Sequence, residues 1–297
     1  MLEIIQEEYN EQGKELREHG TAAFPIACYH GDWREVSVPL HWHSELEAGL
    51  VTAGQVTMLI GPEKVCLNRG DGFFINSGIP HAVLCADGQE SRQCSVVFDP
   101  ILVGGRPGSI FWQRYVQPVL SAASMPYFCF QAEEDWQKKG SRLIQSVWEY
   151  CVRTPEDYEL EVRDALSRLL SLLKDHVPNE RPAQDRRIAR DNARVRTMMG
   201  YIQTHYQETV SIEDIAASAV ISVSEALRCF HNTIGLTPVQ YLKSYRIQQA
   251  AAELLNSDRK ISEIGAACGF QEMSYFAKAF REIMGMTPSA YRKKHRQ

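Results

Sequence analysis

The last third of this 297-residue chain contains an internal repeat, which restricts its fold more than any other feature of the sequence. Residues 211–241 resemble residues 261–291, and from the middle of each unit the offset is a constant 50 positions. In the first half of the unit the offset is 49, so one unit has an extra residue in its turn. Such repetition indicates two copies of one supersecondary unit. The matched pairs are Ile215/Ile264, Phe230/Phe280, Gly235/Gly285, Thr237-Pro238/Thr287-Pro288 and Tyr241/Tyr291.

Each copy has the pattern of a helix-turn-helix. A short alanine-rich helix (IEDIAASA or ISEIGAAC) can approach a neighbour closely, and a tight turn leads to a second helix (SVSEALRCFHNT or QEMSYFAKAFREI). The motif GxTP closes the unit, because glycine ends one helix and proline begins the next. Residues 237–257 read as one continuous helix between the copies. It would hold two DNA-reading helices about one DNA turn apart.

The outward positions of both second helices are polar or basic, which suits a helix that enters the major groove of DNA. We expect Arg228, Lys278 and Arg281 to contact phosphates or purine edges, and Lys243 and Arg246 to contact the DNA backbone. A glutamate on such a helix either accepts a hydrogen bond from a cytosine amino group or caps the helix. The other candidate DNA-binding residues are Ser224, Glu225, His231, Glu272, Ser274 and Tyr275.

The front of the chain has a different pattern. Residues 24–99 consist of short apolar runs with Gly, Asp or Pro between them, which is typical of an all-β sandwich or barrel. From about residue 108 onward, apolar residues recur every three or four positions and predict amphipathic helices. One of these helices has a wide apolar face that suits either a domain core or a dimer seam. This face comprises Val162, Ala165, Leu166, Leu169, Leu170, Leu172 and Leu173.

A charged stretch with two prolines, VPNERPAQDRRIARDN, follows these helices and reads as a linker. The predicted fold class is therefore multidomain α and β. A β-barrel with flanking helices precedes an all-α double helix-turn-helix. The predicted boundaries are 1–130 for the barrel, 131–178 for a helical dimerisation segment, 179–192 for the linker and 193–297 for the DNA-binding domain.

Charge and composition narrow the class of protein. Residues 1–178 carry a net charge of -10 and residues 179–297 a net charge of +5, which suggests that the second part alone meets a polyanion. No apolar run approaches the roughly 20 residues that span a bilayer, and the N-terminus lacks the pattern of a secretory signal. The eight scattered cysteines fit buried residues in a reducing compartment. We therefore expect a cytoplasmic protein without a membrane partner.

The second copy of the repeat resembles a known family signature. The segment IGAACGFQEMSYFAKAFREIMGMTPSAYRK is similar, position by position, to that of the AraC/XylS family of bacterial transcription regulators. The resemblance covers residues 193–295, although Ala226 and Gly265 depart from the residues usual in the family. It implies sequence-specific binding of double-stranded DNA through two helix-turn-helix motifs, usually by a dimer.

Two histidines and a glutamate in PLHWHSELEAGLVTAG, residues 39–54, are good ligands for a divalent cation. His41 and His43 lie two residues apart, so on a strand both point to one face, expected here to be the barrel interior. The spacing from His41 to Gly54 resembles the first motif of the cupin superfamily. The segment GDGFFINSGIPH (70–81) resembles the second motif, with Asn76 where Pro is usual. The histidine–glutamate cluster, as we call it, comprises His41, His43, Glu47 and His81.

Several interpretations of this cluster stay open. It can line a pocket for a small effector, with Trp42, Phe73 or Phe74 as apolar walls. It can instead bind a divalent metal without catalysis, or form a metalloenzyme with an open coordination position. It can also be a remnant that forms internal hydrogen bonds alone. Against catalysis, the sequence supplies no clear second set of acid and base groups, and the partner domain reads DNA. We expect no enzymatic activity and no required cofactor.

The sequence thus predicts a transcription regulator whose cupin-like domain binds a small molecule and thereby controls DNA binding. A sugar is the first expectation for the effector, on family resemblance alone. The alternative is a sensor that resembles a cupin metalloenzyme and holds a divalent metal. A homodimer is expected, and RNA polymerase is a further expected partner if the protein is an activator.

A fragment of residues 179–297 is expected to bind the DNA upstream of its own gene at least about 1,000-fold more tightly than random DNA. Binding should weaken steeply with salt, because each neutralised phosphate releases counterions. Gel-shift titrations at several salt concentrations measure both effects. Equal affinity for the two DNAs, without a steep salt dependence, would contradict the DNA-binding prediction.

Overall fold

The structure, a computed structural model, describes residues 18–122, 124–131, 134–177 and 182–295. Its described part separates into two compact units, one ending at Asn192 and one beginning at Ala193. The N-terminal stretch that lacks a signal pattern and residues 179–181 of the predicted linker lie outside the described residues. Across the described ranges, no helix has both the length and the apolar character needed to span a membrane.

The first unit contains eight strands that pair antiparallel throughout. The order β1-β7-β3-β5-β8 forms one part of the sheet; β4 and β6 pair with β3, and β2 pairs with β6. The predicted sheet-rich domain is confirmed, although the strand pairs of the described residues do not form a closed ring. The strands are β1 Ile26–Asp32, β2 Val38–His41, β3 Leu46–Ile60, β4 Glu63–Asn68, β5 Gly72–Ile75, β6 His81–Val83, β7 Ser91–Phe98 and β8 Tyr127–Phe130.

Strand β3 belongs to both parts of the sheet, and its bend allows one part to fold over the other. Its first half pairs with β5 and β7, and its second half pairs with β4 and β6. The pairing with β7 shifts register between Val51 and Ala53, and Gly54 follows with a φ of +62°. A Cβ at Gly54 would lie 1.7 Å from the carbonyl oxygen of Glu90, so only glycine fits this bend. The interior core contains Val51, Val56, Met58, Ile60, Leu67, Phe73, Ile75, Ile79 and Val83.

Helices cover the other face of the first part of the sheet. A π-helical turn, Trp112–Val116, leads into α2, while α3 contacts the sheet and α4 packs on α3. The apolar face of α4 is buried in this core, which also contains Leu46, Phe74 and Phe98. The face therefore belongs to the domain core, and the predicted homodimer requires a different surface. The helices are α1 Ile101–Gly104, α2 Gln117–Ser121, α3 Asp135–Arg153 and α4 Tyr158–Lys174.

The predicted linker is helical from Pro182 onward, as the first part of α5 (Pro182–His205). Proline is tolerated in the first turn of a helix, where its missing N–H has no intrahelical partner. The regular apolar positions of α5 begin after residue 192, and the half-buried Ile188 is the one large aliphatic residue of α5 before them, which is why the sequence of these residues lacked helical periodicity. Those buried in the second unit are Val195, Met198, Met199 and Ile202.

The second unit is all-α and contains both predicted helix-turn-helix motifs, α6–α7 and α9–α10. Ser211 and Ser222 cap α6 and α7, and Gly235 and Gly285 follow α7 and α10 with a φ of +71° each. Helix α8 is continuous between the motifs, as predicted. The helices are α6 Ile212–Ser218, α7 Val223–Ile234, α8 Pro238–Asn256, α9 Ile261–Ala267, α10 Met273–Met284 and α11 Pro288–His295.

The turns of the two motifs differ by one residue, as the offset predicted. Residues 219–222 separate α6 from α7, and residues 268–272 separate α9 from α10. Equivalent hydrogen bonds from Ile221 to the carbonyl of Ala216 and from Phe270 to that of Gly265 align the turns. Just before these donors, Val220 and Gly269 both have left-handed backbone, with φ of +56° and +81°. Left-handed backbone is costly for a β-branched residue such as valine.

The substitution Val220→Gly is expected to raise the free energy of unfolding by about 1 kcal/mol, because glycine removes the steric cost of the left-handed turn. The Val220 side chain is 91% exposed, so little packing is lost. Urea denaturation of the full chain measures the change. The reciprocal Gly269→Val should destabilise, since its Cβ would lie 2.5 Å from the carbonyl oxygen of Tyr206. A lower stability of Val220→Gly would contradict this account.

Candidate ligand site and nucleic-acid interface

The histidine–glutamate cluster lies in the interior of the folded sheet. His41 ends β2 and is the direct partner of His81 on β6, so strand pairing places their side chains together. Glu47 lies on β3, and His43 lies in the connection between β2 and β3. All four side chains are buried, with exposed fractions between 2% and 7%. The structure thus brings together every residue of the predicted cluster.

The distances within the cluster are short. Glu47 Oε2 lies 3.1 Å from His81 Nε2 and 3.5 Å from His43 Nε2. The rings of His41 and His81 have centroids 4.3 Å apart. One nitrogen from each of the three histidines can be chosen so that all lie within 4.8 Å of one another. This arrangement is compact enough for one small cation to contact several of the side chains.

Hydrogen bonds to the backbone fix which nitrogen of each ring carries a proton. The Nδ1 atoms of His41, His43 and His81 lie 2.9, 3.2 and 2.8 Å from the carbonyl oxygens of residues 39, 45 and 79, respectively. A carbonyl oxygen only accepts, so each Nδ1 donates its proton. In neutral rings, each Nε2 then presents a lone pair, the state in which imidazole binds metals.

The contact between His81 Nε2 and Glu47 Oε2 therefore requires a cation between them, either a proton or a metal ion. Burial alone would raise the pKa of Glu47, but when the Nε2 atoms of His43 and His81 carry protons, their hydrogen bonds to the carboxylate outweigh burial and hold that pKa well below its usual range. Burial also lowers the pKa of the His43 imidazole, despite the neighbouring carboxylate. When those Nε2 atoms carry no proton, their lone pairs and the carboxylate form a set of nitrogen and oxygen ligands that suits a divalent transition metal.

Of the predicted apolar walls, Trp42 lies between His41 and His43 in the sequence, and its side chain is buried. The two phenylalanines of β5 point to opposite faces of the sheet. Phe73 belongs to the interior core, whereas Phe74 packs in the core beneath the helices. The assignment of Phe74 to the pocket was therefore wrong, because successive residues of a strand alternate between faces. Asn76 donates from its side chain to the carbonyl of Val119 at 2.7 Å, so it joins the end of β5 to α2.

His19, which was not predicted from the sequence, is buried beside the cluster. Its ring centroid lies 5.3 Å from that of His43, and its Nδ1 lies 2.8 Å from the hydroxyl of Tyr29 on β1. His19 precedes the first strand and belongs to neither motif. Because its neighbours come from distant segments, no local pattern marks it.

On the second unit, the polar face of α10 is exposed as predicted. It carries Ser274, Tyr275, Lys278 and Arg281, and Glu272 precedes the helix. Tyr275 is 53% exposed, whereas Phe276 and Phe280 on the opposite side are buried. On α7, Ser224 and His231 are exposed. These exposed side chains are available for contacts with DNA.

Three residues predicted to contact DNA, Glu225, Arg228 and Arg246, have partners within the protein. The carboxylate of Glu225 accepts from Arg194 on α5 at 2.7 Å and lies 3.4 Å from Arg228. The Arg246 guanidinium donates to the carbonyl oxygens of Tyr206 and Glu208, at 2.7 Å each. The structure therefore gives Arg246 an internal role at the end of α5, in place of the backbone contact predicted for it.

Lys243 and Arg292 also contact other helices or their ends. Lys243 Nζ lies 3.5 Å from a carboxylate oxygen of Glu282 on α10, an exposed pair that contributes little stability. Arg292 on α11 donates to the carbonyl oxygens of Leu254 and Arg259 at the end of α8, at 3.2 and 2.8 Å. Arg246 and Arg292 thus have the same role for the two helix-turn-helix motifs. Each of them binds carbonyls at the end of the helix that precedes the motif.

Two family matches cover most of the chain. Residues 24–187 match the AraC-like ligand binding domain, and residues 215–294 match a helix-turn-helix domain. The chain therefore belongs to the AraC family of transcription regulators, with a ligand-binding domain followed by a DNA-binding region, as its sequence predicted.

Relatives extend over nearly the whole length. An uncharacterized HTH-type transcriptional regulator of Bacillus subtilis, YdeC, is 30% identical over 284 residues, which are 94% of this chain and 96% of YdeC. The melibiose operon regulatory protein of Escherichia coli is 24% identical over 271 residues, with 86% and 84% covered. Among solved structures, unsaturated fatty acid bound ToxT from Vibrio cholerae is 13% identical with a TM-score of 0.46, covering 93% of this chain and 97% of ToxT.

The substitution Arg246→Ala is expected to lower the free energy of unfolding by about 2 kcal/mol, because it removes two charge-assisted hydrogen bonds to carbonyls. Lys278→Ala should change stability by less than about 0.5 kcal/mol, since Lys278 lies on the surface. It should instead weaken DNA binding and reduce the salt slope by about one unit. Urea denaturation and salt-dependent gel shifts separate the two effects. Unchanged stability of Arg246→Ala would contradict its structural role.

Proposed function

We propose that this regulator responds to a small molecule through a divalent transition metal ion held by the histidine–glutamate cluster. The observation that carries the proposal is the anchoring of all three histidines by Nδ1, which directs the Nε2 atoms of His43 and His81 toward one carboxylate, with His41 beside them. His41, His43, Glu47 and His81 would hold the ion. A bound ion would act as a Lewis acid toward an oxygen atom of the effector.

The side chains around the cluster fit this role. Backbone carbonyls fix the orientation of the imidazoles, as metal-binding histidines usually require. All four side chains of the cluster are buried, which restricts access of water and strengthens electrostatic interactions at the site. We propose that occupancy shifts the population of chains that are competent to bind DNA, without catalytic turnover. The dimer, the RNA polymerase contact and the cytoplasmic location stay predictions.

A second candidate is an organic effector that binds the cluster without a metal. Glu47 and the Nε2 lone pairs are acceptors, so they suit a ligand with several hydroxyl donors. A relative named for the melibiose operon supports a sugar as the class of such an effector. In this case the hydroxyl protons of the ligand would take the positions that a metal ion occupies in the first proposal.

Full-length protein purified without chelator is expected to contain about one transition metal ion per chain by elemental analysis. Glu47→Gln and His81→Gln should reduce this content at least about tenfold, since second-shell changes alone cost 10- to 100-fold in affinity. His30→Gln is a matched control, because His30 is exposed and outside the cluster. Adding back metal at about 100 times its Kd should stabilise the chelated wild type by about 2.7 kcal/mol.

Metal content and stability that are the same in wild type and both cluster variants would refute the metal proposal. If, in addition to that result, a sugar stabilises the metal-free wild type and Glu47→Gln abolishes this stabilisation, the second candidate replaces the first. DNA binding measured in parallel shows whether either ligand changes affinity for DNA.

A further inference from the structure

The repeat relates the exposed faces of the two DNA-reading helices residue by residue. At the offset of 50, each position on α7 has a counterpart on α10. Two of the pairs are basic or partly basic, one is serine in both, and one is apolar in both. The pairs are Ser224/Ser274, Leu227/Ala277, Arg228/Lys278 and His231/Arg281.

The apolar pair lies among polar residues and not toward the core. Leu227 is three residues after Ser224 and four before His231, a spacing that places all three on one side of α7. Leu227 is 39% exposed, whereas Ala226, Cys229 and Phe230 are buried. Its counterpart Ala277 is also exposed on α10. The same apolar position is therefore presented outward by both helices.

The polar groups of α7 are less available for base recognition than their sequence suggested. Glu225 is held by Arg194 at 2.7 Å, and the same carboxylate oxygen lies 3.4 Å from Arg228. In α10, the residue at the position of Glu225 is the exposed Tyr275. Recognition of DNA bases by α7 must therefore depend more on its other exposed residues. Among these, Leu227 is the large apolar residue.

In the major groove, the apolar group that a protein can read is the C5-methyl of thymine. We propose that Leu227 is a specificity-determining residue that recognises thymine through this methyl group, and that Ala277 makes the equivalent, weaker contact in the second motif. Polar and basic residues surround Leu227, which fits a DNA surface better than an apolar protein partner. The proposal rests on DNA binding by the two motifs and is independent of the histidine–glutamate cluster.

A methyl-deletion scan tests the proposal. Wild-type full-length protein first selects its preferred duplex from a random pool, and each thymine of that duplex is then replaced singly by deoxyuridine. Loss of one buried methyl is expected to weaken wild-type binding about fourfold (about 0.8 kcal/mol) at one thymine position contacted by α7. Leu227→Ala should bind the thymine and deoxyuridine duplexes equally at that position. Sensitivity at all other thymines should be unchanged.

Leu160→Ala is the matched control, because Leu160 is an exposed leucine, 66% accessible, in the ligand-binding domain. It should retain the complete wild-type pattern, and equal thermal unfolding of both variants shows that Leu227→Ala is folded. Three results would overturn the proposal: no sensitive thymine in wild type, a pattern that persists in Leu227→Ala, or a uniform loss at every duplex. The last result would indicate a structural role for Leu227.

Discussion

A carboxylate inside a folded sheet loses the hydration that stabilises its charge in water, and Glu47 is buried in this way. The imidazoles around it offset that cost only when a proton or a metal ion lies between their nitrogens and the carboxylate. Because backbone carbonyls bind the Nδ1 protons, the Nε2 atoms cannot turn away from Glu47 without losing those hydrogen bonds. Burial and these hydrogen bonds together hold the Nε2 atoms of His43 and His81 against the carboxylate of Glu47.

The sheet supplies this environment through one strand. Along β3, Glu47 and Val51 face the interior, while Leu46 and Ala48 face the helices. The bend at Gly54 then brings the second half of β3 and its partners over the interior residues. The helices α3 and α4 cover the remaining face, so the cluster lies within a domain that has cores on both sides of its sheet.

Periodicity and turn residues predicted the sheet-rich domain, and the internal repeat predicted both helix-turn-helix motifs. The residues of the cluster were brought together by the resemblance to the two cupin motifs. Alternation along a known strand assigns Phe73 and Phe74 to opposite faces, but the sequence did not fix the register of β5. The roles of Glu225 and Arg246 depended on partners about 30 to 40 residues away, Arg194 and Tyr206. His19 similarly reaches the cluster by folding and belongs to no pattern.

The two arginines that bind helix-end carbonyls show that the unit of folding differs from the unit of sequence repetition. Arg246 belongs to the helix after the first motif and binds residues just before it, and Arg292 does the same around the second. Helix α8 therefore completes the first motif and begins the second. A chain cut at either boundary of the repeat would lose one of these arginines or its acceptors, so the two motifs fold intact only together with the end of α5 and with α11.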